Sequence, residues 1–262
     1  MSERRSGHLG LTRAVFEKQL ILLRRYWINT LMMLVGFYLF FAVIFFGGQA
    51  AVGDGIDGTL DGLVVGFFLF LAVTAAYFDV AGNVMREAQW GTLEQLFMSP
   101  FGIGRVLLAK TLFNVLFSTG IALVLLAVML VTTDRSLTID PLTIVPILMV
   151  TILPAVGLGF LFAGLSLLYK RIENVQQLLQ FGFIGLIAAP GAVDSEILLV
   201  VPFSLGSDIL GRAMIDGYRL WEFEAVTLTA LVLNALVYLV VGYLLFHLLV
   251  RRARRLGVMG HY

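Results

Sequence analysis

Residues 26–48 read YWINTLMMLVGFYLFFAVIFFGG, 23 positions without one charged side chain. At ~1.5 Å per residue a helix over this run is ~35 Å long, enough to cross a hydrocarbon core of ~30 Å. Tyr26 and Trp27 open it, where amphipathic rings settle at a membrane interface. Working outward, further apolar runs occupy residues 60–84, 106–131, 142–169, 175–189 and 225–250. Together they predict an all-α membrane protein with six transmembrane helices. Of 262 residues, 60% are apolar and 13% charged, against about a quarter charged in an ordinary soluble domain. A soluble globular enzyme and a disordered chain are both excluded. With no cysteine in the chain, disulfides, thiolate metal sites and cysteine nucleophiles are excluded as well.

The chain divides into a cytoplasmic N-terminus at 1–25, a transmembrane domain at 26–250, and a basic tail at 251–262. Orientation follows from the basic residues. With the N-terminus inside, the inner segments hold fifteen of the eighteen Lys and Arg, and the outer ones only Arg135, Arg212 and Arg219. That asymmetry places both termini in the cytoplasm of a cell membrane. Eleven of the seventeen acids fall outside.

Ser2-Glu3-Arg4-Arg5 is followed by Arg13, Glu17, Lys18, Arg24 and Arg25, which interrupt any apolar stretch a cleaved signal would need. Residues 9–25 instead put Leu9, Phe16, Leu20 and Leu23 near one helical face, the pattern of an N-terminal interfacial amphipathic helix. Between spans five and six, Pro202, Ser204, Asp208 and Arg212 break the short apolar run 197–203. Two short amphipathic outer re-entrant helical pieces are expected there, one on each side of Pro202-Phe203-Ser204. Within the spans, Ala155, Gly159 and Ala163 form a small-residue face, Gly182, Gly185 and Ala189 another, and Pro146 and Pro154 should bend span four.

The inner segment between spans two and three reads REAQWGTLEQLFMSP, residues 86–100. Thr92 and Gln95 have capping-box spacing, so a helix is expected to start at Thr92, and Pro100 ends it after about two turns. Leu93, Leu96 and Phe97 share one face at i, i+3 and i+4, with Glu94 beside them. A helix that short must dock on something to be stable in water. On these grounds alone the partner is either a groove on a soluble protein or the chain's own headgroup-facing surface.

The sequence Glu87-x-x-x-Gly91-Thr92-Leu93-Glu94-x-Leu96-x-x-Ser99-Pro100 resembles the signature of the ABC-2 type transporter permease family, the membrane subunits of ABC exporters. The interfacial helix, six spans, broken outer segment and basic C-terminus extend the resemblance over nearly the whole chain. It implies a coupling helix seated in a cleft of a separate ABC ATPase subunit. Leu93, Leu96 and Phe97 would fill the cleft and Glu87 and Glu94 make polar contacts. Gly91, Thr92 and Pro100 would shape the ends of that helix. It also implies a second permease copy, identical or different, and a drug-, lipid- or polysaccharide-like cargo. ATP binding would move the coupling helices and tilt spans two and five between inward-open and outward-open arrangements. This chain has no Gly-x-x-x-x-Gly-Lys-Ser/Thr run, so no cofactor is expected here. ATP and Mg would be bound by the partner ATPase.

Polar residues inside spans usually face protein or water. Glu173, Gln177 and Gln180 fall at i, i+4 and i+7 on the inner half of span five, with Asn174 and Gln176 nearby. They could line an inner vestibule or hydrogen-bond neighbouring helices. Asn114 and Asn234 read as packing contacts, and Lys110 as a side chain snorkelling from the inner end of span three, with Asp79 at the inner end of span two as its candidate ionic partner. Aromatics crowd spans one and two, notably Phe37, Tyr38, Phe40, Phe41, Phe45, Phe46, Phe67, Phe68 and Phe70, facing either lipid or cargo. No His-Glu-x-x-His, Gly-x-Ser-x-Gly or paired His ligands are present, which leaves no catalytic or metal site to argue for. An ion channel or a scaffold subunit is the alternative class, and it would leave residues 87–100 without a task.

Overall fold

The computed structural model describes residues 2–52, 57–89, 103–169, 172–192 and 195–256. Among these residues every regular element is helical. The helices are α1 (Ser2–Arg25), α2 (Trp27–Val52), α3 (Asp57–Gln89), α4 (Ile103–Thr133), α5 (Pro141–Thr151), α6 (Leu153–Leu168), α7 (Glu173–Ala188), α8 (Ser204–Met214) and α9 (Ala225–Arg255). Five stretches of the described residues are long and apolar enough to cross a membrane: Trp27–Ala51, Gly58–Gly82, Val106–Thr133, Pro141–Leu168 and Ala225–Arg255. The protein is an all-α chain of multi-pass membrane character. The sixth expected span is shorter. Helix α7 has 16 residues, or ~24 Å, and runs into a 3-10 turn over Ala189–Gly191.

Helices α3 and α6 form the centre and α2 and α9 the periphery, as burial along the five stretches records: 72% and 61% for the stretches in α3 and α5–α6, 11% and 17% for those in α2 and α9. In hydrocarbon, apolar surface gains little by leaving lipid, so close packing and small residues must hold helices together. Gly157 and Gly242 face each other where α6 crosses α9, and a Cβ on either would overlap backbone of the other helix. On its other side α6 meets α3, where a Cβ on Gly159 would come within 3.0 Å of the Tyr77 carbonyl oxygen. The expected face of Ala155, Gly159 and Ala163 is therefore buried inside this chain. Gly182 and Gly185 differ, since nothing lies within 4 Å of a Cβ added at either.

Span four bends where proline requires it. Pro154 has no N–H for the carbonyl four residues earlier, and the helix breaks at Ile152 into α5 and α6. Pro146 sits inside α5 without ending it. Asp140 caps α5, its carboxylate accepting from Leu142 N–H at 3.2 Å and Thr143 Oγ1 at 2.6 Å.

Helix α1 packs on α4 through buried Val15 and through Phe16, whose ring meets Phe113 edge-on at 5.0 Å. The expected stripe is only partly used, because Leu20 is exposed. Arg13 donates to Glu17 across one turn at 2.8 Å on the exposed side. Lys110 is buried at 4% exposure and does not reach the surface.

Several contacts establish which ends share a side. Asp61 at the start of α3 pairs with Arg135 just after α4 at 3.6 Å. Thr138 N–H donates to the Met214 carbonyl at 2.8 Å, and Leu220 N–H to Thr143 Oγ1 at 3.0 Å. The starts of α3, α5 and α9 and the end of α8 therefore lie at one end of the molecule. In the orientation expected from the basic residues, that end is the outer one.

Candidate functional site

At the outer half, Gly58, Gly62 and Gly66 recur at every fourth residue of α3 and so line one face of it. A Cβ at Gly58 or Gly62 would meet nothing within 4 Å, and one at Gly66 would find Ile187 Cγ2 at 3.8 Å. Beside this bare track the structure holds an open groove of about 830 Å³. Phe40 and Ile44 of α2, Phe67 and Phe70 of α3, and Ile184 and Ile187 of α7 supply apolar walls. Helix α8 supplies the fourth wall, with Ser207, Asp208 and Arg212.

Helix α8 is tied to the end of α7 by two serine hydroxyls. A helix end leaves its last carbonyls without intrahelical donors. Ser204 Oγ donates to the Leu186 carbonyl at 2.7 Å and Ser207 Oγ to that of Ile187 at 2.8 Å, closing the end of α7. Phe203 directs the chain into α8 from a left-handed backbone conformation, φ 71°. Its ring packs edge-on against Phe183 at 5.2 Å, a strain held by surrounding contacts. The 3-10 turn Glu196–Leu199 is fastened to α9, where Asn234 Nδ2 donates to the Leu199 and Val200 carbonyls at 2.9 Å each. Tyr238 Oη also donates to Val200, at 3.2 Å. Asn234 lies nine residues into α9, or ~14 Å from its outer start. The broken segment thus reaches well down the helix bundle, and α8 climbs from there to Met214. Asn234 is more than a packing contact.

The charges of α8 sit in this ascent. Asp208 and Arg212 form an ion pair at 3.0 Å, with side chains 34% and 56% exposed. Asp216, just past the helix, also lines the groove. The buried side of α8 is Leu205, Ile209, Leu210, Ala213 and Met214. Asp208 and Arg212 were readable in sequence only as residues that stop a span, and Asp216 was not singled out. The spacing of four between Asp208 and Arg212 was the available sign that these two share one helical face.

The aromatic crowding divides by position. Phe41, Phe45 and Phe68 are core, and Phe67 stacks obliquely on Phe40 and Phe41 at 5.7 and 5.3 Å. Phe40, Phe67 and Phe70 face the groove. On α7, Gln177 is exposed and Gln180 half-buried. At 100° per residue, Gln177, Gln180, Ile184, Ile187 and Ala188 fall within an arc of about 100°. The glutamines therefore continue inward the same α7 face that walls the groove through Ile184, Ile187 and Ala188. The neighbouring Gln176 is the buried one, 4% exposed, and its Nε2 has no hydrogen-bond partner among the described residues. The Glu173 side chain lies outside the described residues, as do the Glu87 side chain and all of Gly91, Thr92, Leu93, Glu94, Leu96, Phe97 and Pro100. No protein-family model matches the chain, and no curated protein matches it.

Proposed function

We propose that this chain is the permease subunit of an ATP-driven exporter of the ABC-2 type, energised by a separate ATPase. The observation that carries the reading is α3. One unbroken helix of 33 residues, Asp57–Gln89, ~50 Å long, floors the outer groove with Gly58, Gly62 and Gly66 and ends at the threshold of the motif 87–100. A push on that inner segment can reach the groove along a single rigid element. Nucleotide on the partner can shift the chain between inward-open and outward-open states only through contacts that differ between them, and a lever of this kind supplies them. The α7 face running from Gln177 and Gln180 to the groove supports a route for cargo past the same helix.

Six passages, with both termini cytoplasmic, belong to this reading. Helix α6 descends from the outer end, where α5 starts, and α9 starts again at the outer end, five residues after Leu220, which donates to Thr143. Only α7 and its turn return the chain across in between. Its open face at Gly182 and Gly185, exposed with Phe181 and Leu178, supports pairing with a second permease copy.

The test is Glu94→Arg in a strain that co-expresses the ATPase subunit. The expected outcome is loss of ATPase co-purification, or export reduced at least tenfold with ATP hydrolysis continuing. Normal co-purification together with normal export would overturn the assignment of the coupling helix.

A further inference from the structure

We infer that the groove between α2, α3, α7 and α8 holds a membrane phospholipid whose headgroup carries both a phosphate and an ammonium. That this amphiphile class is also the cargo rests on the permease reading above; the binding does not.

The groove offers a chain-shaped floor. Gly58, Gly62 and Gly66 present no side chains, and added Cβ atoms at the first two would meet nothing. It borders α2, the least buried of the five long stretches at 11%, so an acyl chain can enter sideways from hydrocarbon. A volume of about 830 Å³ is within the ~300–1,000 Å³ range of small-molecule sites.

The polar end is what selects the headgroup. Asp208, Arg212 and Asp216 follow at intervals of four along one wall, giving carboxylate, guanidinium, carboxylate. The guanidinium fork suits a phosphate, and either carboxylate accepts from an ammonium. A headgroup with phosphate alone would set its charge against two carboxylates. One with an amine alone would leave Arg212 competing for them. A zwitterion meets all three, while a second copy of this chain inserting apolar side chains would strip water from the Asp208–Arg212 pair without replacing it.

The experiment loads the purified full chain, without any ATPase, with equal amounts of phosphatidylethanolamine and phosphatidylglycerol of identical acyl chains. Retained lipid is counted by native mass spectrometry. The expected retention favours phosphatidylethanolamine about tenfold, the ratio given by ~1.4 kcal/mol. Asp208→Asn combined with Asp216→Asn should bring the ratio near one. Gly62→Phe should reduce retention of both lipids, and a thermal melt verifies its fold; Gly62→Val is the smaller version if the phenylalanine variant does not fold. Equal retention of the two lipids by the unmodified chain would overturn the inference. So would unchanged retention in the folded Gly62 variant, or a Gly62 variant that loses a dimer and keeps its lipid. Because no ATPase is present, each of these results leaves the Glu94→Arg test standing on its own.

Discussion

Thr74 and Tyr77 sit one turn apart on α3, both buried, and neither hydroxyl has a hydrogen-bond partner among the described residues. Tyr77 is fully enclosed, its ring edge-on to Phe78, Phe162 and Phe183 at 5.1 to 5.8 Å. A buried hydroxyl without an acceptor costs ~1–3 kcal/mol, and removing it without altering the ring relieves that cost. Tyr77→Phe is therefore expected to stabilise the conformation described here by ~1 kcal/mol, read as a higher thermal unfolding midpoint in detergent. A lower midpoint would mean that the hydroxyl has an acceptor in the detergent-solubilised protein. Ser204 and Ser207 are the opposite case, since each donates to a carbonyl that the end of α7 leaves open. Nothing in the residue types separates the two kinds of hydroxyl. The difference lies in which neighbour stands opposite, so polar chemistry in the spans was legible as identity but not as partnership. Gln176 makes the same point: it was read beside Gln177 and Gln180, yet it alone turns inward.

Helices show the reverse balance, because length and apolarity are local properties. Long apolar runs such as 26–48 located α2, α3, α4 and α9, and Pro154 located the joint between α5 and α6. The outer piece α8 was legible as amphipathic and broken at Phe203, while its role as the lid of α7 depends on contacts 18 and 20 residues apart in sequence. Glycines divide in the same way. Gly242 and Gly62 look alike in sequence, yet a Cβ on Gly242 would overlap the Gly157 backbone and one on Gly62 would enter open space. Overpacking that neither backbone can relieve costs ~1–3 kcal/mol or more, whereas Gly to Ala in an unobstructed helix gains up to ~1 kcal/mol of propensity. Gly242→Ala should therefore lower the unfolding midpoint in detergent, and Gly62→Ala should leave it unchanged or raise it. Equal effects at the two positions would contradict the close crossing of α6 and α9.

For the molecule as a whole, the count of crossings decides whether the basic tail and the motif 87–100 face the same compartment. Five long apolar helices alone would put the two termini on opposite sides, with Arg251, Arg252, Arg254 and Arg255 facing outward against the charge asymmetry. Six crossings keep the cluster inside and require α7, at ~24 Å, to do the work of a span with α8 completing its outer end. A short helix can manage this because Ser204 and Ser207 close its last carbonyls, so its end does not have to reach water. The chain has no native cysteine, so single cysteines report position without background. Ser136→Cys, in the exposed loop after α4, should react with a membrane-impermeant maleimide on intact cells. Arg252→Cys, exposed near the end of α9, should react only after permeabilisation. If both label on intact cells, α7 does not cross, the termini lie on opposite sides, and the lever from residues 87–100 along α3 can no longer be paired with a cytoplasmic C-terminal tail.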